Sequence, residues 1–151
     1  MGAGYIKGYG DQQDILVVKH SATGLALWAQ RVSLGGGLIE MAADLGVYPD
    51  GSFVVGANVL SKKFRTFMLV MRFNATGGPP VWTTALKPDE SSVSENHNFE
   101  MLSLDISPQD GEIVIAGMSD YNHFKSVETM SWLRVTSRDA SVFRLTSEGR
   151  I

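Results

Sequence analysis

Apolar residues along this chain fall in short continuous runs, "ILVV" at 15–18, "FVV" at 53–55, "FMLVM" at 67–71 and "IVIA" at 113–116, separated by polar and Gly-rich stretches. Runs of this length, rich in β-branched residues and lacking a sustained 3.6-residue period, predict strands and not helices. Because the runs are continuous and do not alternate, the strands are expected to be covered on both faces. Eight strands follow from the pattern, at 15–20, 26–32, 41–47 and 52–57 and again at 67–73, 81–86, 101–107 and 112–117. Between them stand Thr23-Gly24, Asp50-Gly51, Thr76-Gly77-Gly78 and Asp110-Gly111, residues that accept the positive φ of tight hairpins. The links are too short to hold crossover helices, so the cover must come from other sheets.

The two sets of four strands are copies of one unit. "VVKHSATG" at 17–24 returns as "VMRFNATG" at 70–77, with Lys19 replaced by Arg72, and the Asp50-Gly51 pair returns as Asp110-Gly111. Residues 14–59 form the first unit and 60–119 the second. The second is longer because 17 residues separate Trp82 from Glu100 where 11 separate Trp28 from Glu40. Most of the addition, "KPDESSVSENHN" at 87–98, reads as an enlarged polar surface loop. Residues 1–13 read as the end of a preceding unit. Residues 120–151 read as a long link, with "SWLRVT" an extra strand, followed by the start of a third unit in "DASVFRLTSEGRI". A period near 50 residues with four strands per period predicts antiparallel four-stranded blades stacked radially.

The succession of Asp, apolar strand, Lys or Arg, "TG", Trp, spacer and "DG" resembles the bacterial β-propeller repeat of the SBBP type. It is also similar to quinoprotein-like blades, with their TG-x-x-x-W feature. The resemblance implies an all-β fold of β-propeller type in which Trp28 and Trp82 pack between blades. It also implies that Gly24, Gly77 or Gly78, Gly51 and Gly111 form turns beside Asp50 and Asp110, and that Lys19, Arg72 and Arg144 mark one end of equivalent strands. Propellers close with about four to eight blades. Two units and parts of others therefore predict a partial, open propeller, a fragment of a larger protein, or a ring completed by oligomerisation.

Charge and composition narrow the function. Sixteen acidic and 13 basic residues leave a net charge of −3 without a block of either sign, so neither nucleic acid nor a membrane surface is an expected partner. The absence of cysteine excludes disulfides and thiolate metal sites and leaves the compartment open. Nothing in "MGAGYIKGYGDQQ" reads as an export signal, and Ile6 stands where a myristoylation signal needs Ser or Thr. The repeat resemblance alone leans towards an extracellular or envelope setting.

Chemical motifs are sparse. "GAGYIKG" has Lys7 in place of the third glycine of a dinucleotide fingerprint and is expected to be a loop. "LGGGL" at 34–38 lacks the ending of a phosphate loop and reads as a connection. His20, His97 and His123 are isolated, with no HExxH spacing, and the acidic residues of "PDESSVSE" lack the spacing of a calcium loop. Asn74 begins an Asn-Ala-Thr sequon that turn chemistry already explains. No GxSxG elbow occurs, and no cofactor is expected.

The function expected is a non-enzymatic module for binding or scaffolding, with a protein or carbohydrate ligand held by the loop at 87–98 and the link at 121–139. The candidate ligand-binding residues are Asp89, Glu90, His97, Tyr121, His123 and Trp132. The alternative is part of a propeller enzyme, a quinoprotein-type oxidoreductase or a hydrolase, for which binding of pyrroloquinoline quinone or calcium would speak.

Overall fold

The computed structural model describes residues 1–7, 13–36, 38–61, 66–87, 96–126 and 132–151. These form an all-β, antiparallel structure with no helix among the described residues. Ten strands run in chain order: β1 (Gly2–Lys7), β2 (Gln13–His20), β3 (Ala26–Val32), β4 (Ile39–Val47), β5 (Phe53–Leu60), β6 (Thr66–Phe73), β7 (Trp82–Leu86), β8 (Asn96–Ile106), β9 (Ile113–Ser126) and β10 (Trp132–Leu145). They pair into three sheets, β1-β2-β3, β4-β5-β6-β7 and β8-β9-β10, with every neighbour antiparallel.

The four-stranded sheet lies between the other two. Along β5 the period-two alternation of a strand sends Phe53, Val55, Ala57 and Val59 to one face and Val54 and Asn58 to the other. The first set packs with Ile15, Val17, Leu69, Met71 and Phe73 against β1-β2-β3. The second face, with Val54, Met68 and Val70, packs against Met101, Leu104, Ile113, Ile115 and Leu145 of β8-β9-β10. Two cores therefore flank one sheet, and this accounts for the unbroken apolar runs of β5 and β6.

Sheet and sequence repeat are out of phase. The central sheet takes β4 and β5 from unit 14–59 and β6 and β7 from unit 60–119, so the four strands of a unit do not form one meander as expected. The reason lies in the links. After β3 the chain passes to the next sheet through 33–38, whereas the turns at 21–25, 48–52, 74–81 and 107–112 keep neighbouring strands hydrogen-bonded.

Three further expectations are corrected. "GAGYIKG" is not a loop, because Gly2–Lys7 is a strand paired with β2 from Gly2↔Val18 to Lys7↔Gln13. Asn96, His97 and Asn98 belong to β8 and not to the loop assigned to 87–98. The link at 120–139 is not a loop with a separate strand, because β9 and β10 run as one continuous antiparallel ladder from Leu145↔Ile113 to Trp132↔Ser126. Cross-strand bonds there satisfy backbone groups that a loop would leave to water.

Candidate functional site

Strand alternation divides the stack into two ends of different chemistry. One end carries the hairpin turns at 21–25, 48–52, 74–81 and 107–112 and the turn at 146–150, all closed by backbone hydrogen bonds. The other carries the link at 33–38 and the first residues of β2, β4, β6, β8 and β10.

The turn end is locked from sheet to sheet by side chains that recur with the repeat. Lys19 donates from Nζ to the Ala75 carbonyl at 3.1 Å, and Arg72 donates from Nη1 to the Ser147 carbonyl at 2.9 Å. Ala75 and Ser147 hold the same place in the "NATG" and "TSEG" turns. Each turn also sits on the tryptophan of the sheet before it. A Cβ at Gly77 would lie 3.5 Å from the Trp28 ring, and one at Gly149 would come within 2.6 Å of the Trp82 ring, whose Nε1 donates to the Ser147 carbonyl at 3.1 Å. Gly149 has φ +79° as well, so both space and backbone demand glycine there. Trp28 contacts Phe53 with ring centroids 5.9 Å apart.

The predicted Asp-Gly turns belong to this end. Gly24, Gly51, Gly77, Gly78 and Gly111 all have positive φ. Asp50 accepts from the Ser52 hydroxyl and the Ser52 N–H at 2.6 and 2.9 Å, which hold its carboxyl below the usual range. Asp110 is lowered by Ser107 and then by the Glu112 N–H. Tyr48 bridges two sheets, its hydroxyl donating to the Gly111 carbonyl at 2.9 Å while the Arg72 guanidinium lies 4.4 Å from its ring centroid.

The linking end is where buried polar chemistry gathers. Asp14 at the start of β2 and Glu40 at the start of β4 are 2% and 1% exposed, although they lie in different sheets. Asp14 accepts hydrogen bonds from Ser33 and Arg31 and pairs with the Arg31 guanidinium. These donors, Ser33 foremost, hold its carboxyl below the ordinary range against the opposing effect of burial. Glu40 is raised, first by burial and further by the neighbouring Asp14, although Leu34 N–H donates to its Oε1 at 3.0 Å. Its Oε2 is buried with no donor among the described residues. Burial and the adjacent Asp14 carboxylate both favour the protonated form of Glu40.

Between the central and third sheets, Asn58 plays the corresponding part. It is 8% exposed, and its side-chain amide donates to the Met101 carbonyl at 2.9 Å and accepts from the Met101 N–H at 2.7 Å. Asp44 accepts from Leu104 N–H at 2.9 Å. Both contacts fall at bulges, since the ladder of β4 shifts between Ala42 and Asp44 and that of β8 between Met101 and Ser103. A bulge frees backbone groups from their own ladder, and these side chains take them up. Nearer the end, Asn98 Oδ1 accepts from Thr66 N–H at 2.9 Å.

Of the candidates named from the sequence, Asp89 and Glu90 lie outside the described residues. Backbone register pairs His97 with Tyr121, and Tyr121 with Ser137, on adjacent strands. His123 pairs with Val135 and Trp132 with Ser126, so these two stand further along the β9-β10 ladder, away from the sheet junction. His20 is exposed at the opposite end of β2. Asp14, Arg31, Glu40, Asp44 and Asn58 were not picked out from the sequence. The available signal was a carboxylate inside or bordering an apolar run, as in "DILVV" and "IEMAA".

No protein-family model matches this chain, and no curated protein matches it. What the arrangement offers chemically is a rigid polar platform. The buried groups are consumed in joining one sheet to the next.

Proposed function

We propose that the chain is a non-enzymatic, β-propeller-type repeat module for binding or scaffolding, and that the linking end of the stack presents its protein or carbohydrate ligand surface. The observation that carries this reading is the asymmetry of the two ends. Tight turns fastened to the neighbouring sheet occupy one, while the link at 33–38 and the extended β9-β10 ladder lie at the other. Rigid sheets that position variable connections are where binding modules place recognition. The propeller type itself is supported by three antiparallel sheets stacked face to face and by the approach of the turns at Gly77 and Gly149 to Trp28 and Trp82.

The β9-β10 ladder gives this end its reach. Seven residue pairs, from Asp120↔Arg138 to Ser126↔Trp132, continue past the Ser119↔Asp139 pair, a length of roughly 20 Å at the ordinary strand rise. With His97 beside Tyr121 at its base, this is the part best placed to contact a ligand. Peptide and glycan arrays probed with the intact chain and with a variant in which residues 88–95 become a Gly/Ser linker test the reading. The expected result is binding by the intact chain and a loss of at least tenfold in the variant, with unchanged circular dichroism. Binding that survives both this replacement and His97→Ala/Tyr121→Ala overturns it.

A further inference from the structure

The repeat carries a second consequence, for the outer faces of the stack. Val17 of β2, Val70 of β6 and Val142 of β10 hold the same position in successive copies of the repeat. Val17 is 1% exposed against the central sheet and Val70 is 0% exposed against the third sheet, yet Val142 is 72% exposed. The same progression holds two residues earlier, where Ile15 and Met68 are buried and Ala140 is exposed, and in the second strands, where Val54 is buried and Val114 exposed. Leu102, 55% exposed, widens the patch. The outer face of β8-β9-β10 is thus chemically the face that the other two sheets each bury against a following sheet.

The opposite side of the stack has the complementary character. Leu16 and Val18 alternate with the buried Ile15 and Val17, and so lie on the outer face of β1-β2-β3. Their counterparts in the next copy, Leu69 and Met71, are buried against the sheet before them. Arg144 adds a polar marker to this pairing. Lys19 and Arg72 each reach the turn carbonyl of the following sheet, whereas Arg144, at the same position, is exposed and pairs with Glu112 and Asp110 of its own sheet. On a following sheet of the same repeat, its natural acceptor is the carbonyl of Ala22, which stands in "SATG" where Ala75 stands in "NATG".

We infer that a second copy of this chain docks head to tail, the outer face of β8-β9-β10 of one copy on the outer face of β1-β2-β3 of the next. One chain carries both halves of a contact it already makes twice internally, so a second copy is complementary to either face. Such heterologous contacts close into rings or extend into open stacks according to the rotation per step. An exposed apolar face of this kind marks an interaction site.

Light scattering on size-exclusion fractions over a concentration series tests this. The intact chain is expected to exceed the monomer mass as concentration rises. Val142→Glu and Val18→Glu, each disabling one face, are expected to be monomeric with unchanged circular dichroism. Mixing the two variants is expected to restore a 1:1 dimer, because each retains the face the other lacks. If Val18→Glu does not fold, Leu16→Glu serves the same arm. An intact chain that stays monomeric at every concentration overturns the inference, as does self-association in which Val142→Glu alone or Val18→Glu alone leaves the mass unchanged, the mark of a symmetric contact. This inference shares the blade reading of the preceding subsection, but the two fail separately. A monomer that binds ligand through the linking end sinks only the stacking, and stacking without ligand binding sinks only the recognition surface.

Discussion

At the scale of single residues, the buried Asp14–Glu40 pair makes the junction of the first two sheets sensitive to pH, and the two carboxyls act in opposite directions. Glu40 is raised in the folded chain, so its contribution to stability is fully present below the ordinary glutamate value of 4.5 and is lost as pH rises through the raised value. Asp14 is lowered, so its contribution is present above 3.8 and is lost as pH falls through the lowered value. Glu40→Gln keeps the size of the side chain and removes the titrating proton. Thermal unfolding followed across pH should therefore show wild type losing stability above pH 4.5 relative to Glu40→Gln, the gap widening until Glu40 is fully ionised. Parallel curves for the two proteins would show that Glu40 does not hold its proton at the junction.

At the scale of elements, stability between the central and third sheets rests on bulges answered by side chains. Asn58 satisfies both backbone groups of Met101, and a buried strand loses register easily once such a clamp is gone. Asn58→Asp keeps the size but replaces the amide donor with a carboxylate that faces the Met101 carbonyl. The expected loss is roughly 3 kcal/mol at neutral pH, greater than for Asn58→Ala, because it buries an unpaired charge as well as breaking a hydrogen bond. Urea denaturation of the two variants checks the order. Much at this scale was legible beforehand. The bounds of β3 were read to the residue, and those of β2, β4, β6 and β7 to within two residues, because turn glycines and apolar runs mark them locally. The bulges, the pairing of β1, and the full lengths of β8, β9 and β10 were not legible, because polar strands such as 119–126 have the composition of loops until a partner strand supplies their hydrogen bonds.

At the scale of the whole molecule, the central sheet is the only one covered on both faces among the described residues, and each large apolar side chain so buried contributes roughly 2 kcal/mol. The amides of β5 and β6 should accordingly exchange with solvent most slowly, and those of β1, β3 and the outer part of β9-β10 fastest. Hydrogen exchange read by mass spectrometry gives the order directly. Equal protection in all three sheets would mean that the outer faces are covered in solution, which is the state expected at concentrations where copies stack.

The sequence by itself determined the all-β character, the repeat and the tight turns, because each is written in neighbours a few residues apart: an apolar run, a glycine that must take positive φ, a basic residue before "TG". Tertiary structure alone decided how the repeat is divided among sheets, since β4 pairs with β5 and β6 with β5 across the boundary between the two sequence units, and only the packing of sheet on sheet fixes that division. It alone also brought Asp14 to Glu40 and Asn58 to Met101. In the sequence Asp14, Glu40 and Asn58 are isolated polar residues, and only the face-to-face packing of two sheets, by removing water from around them, gives them these partners.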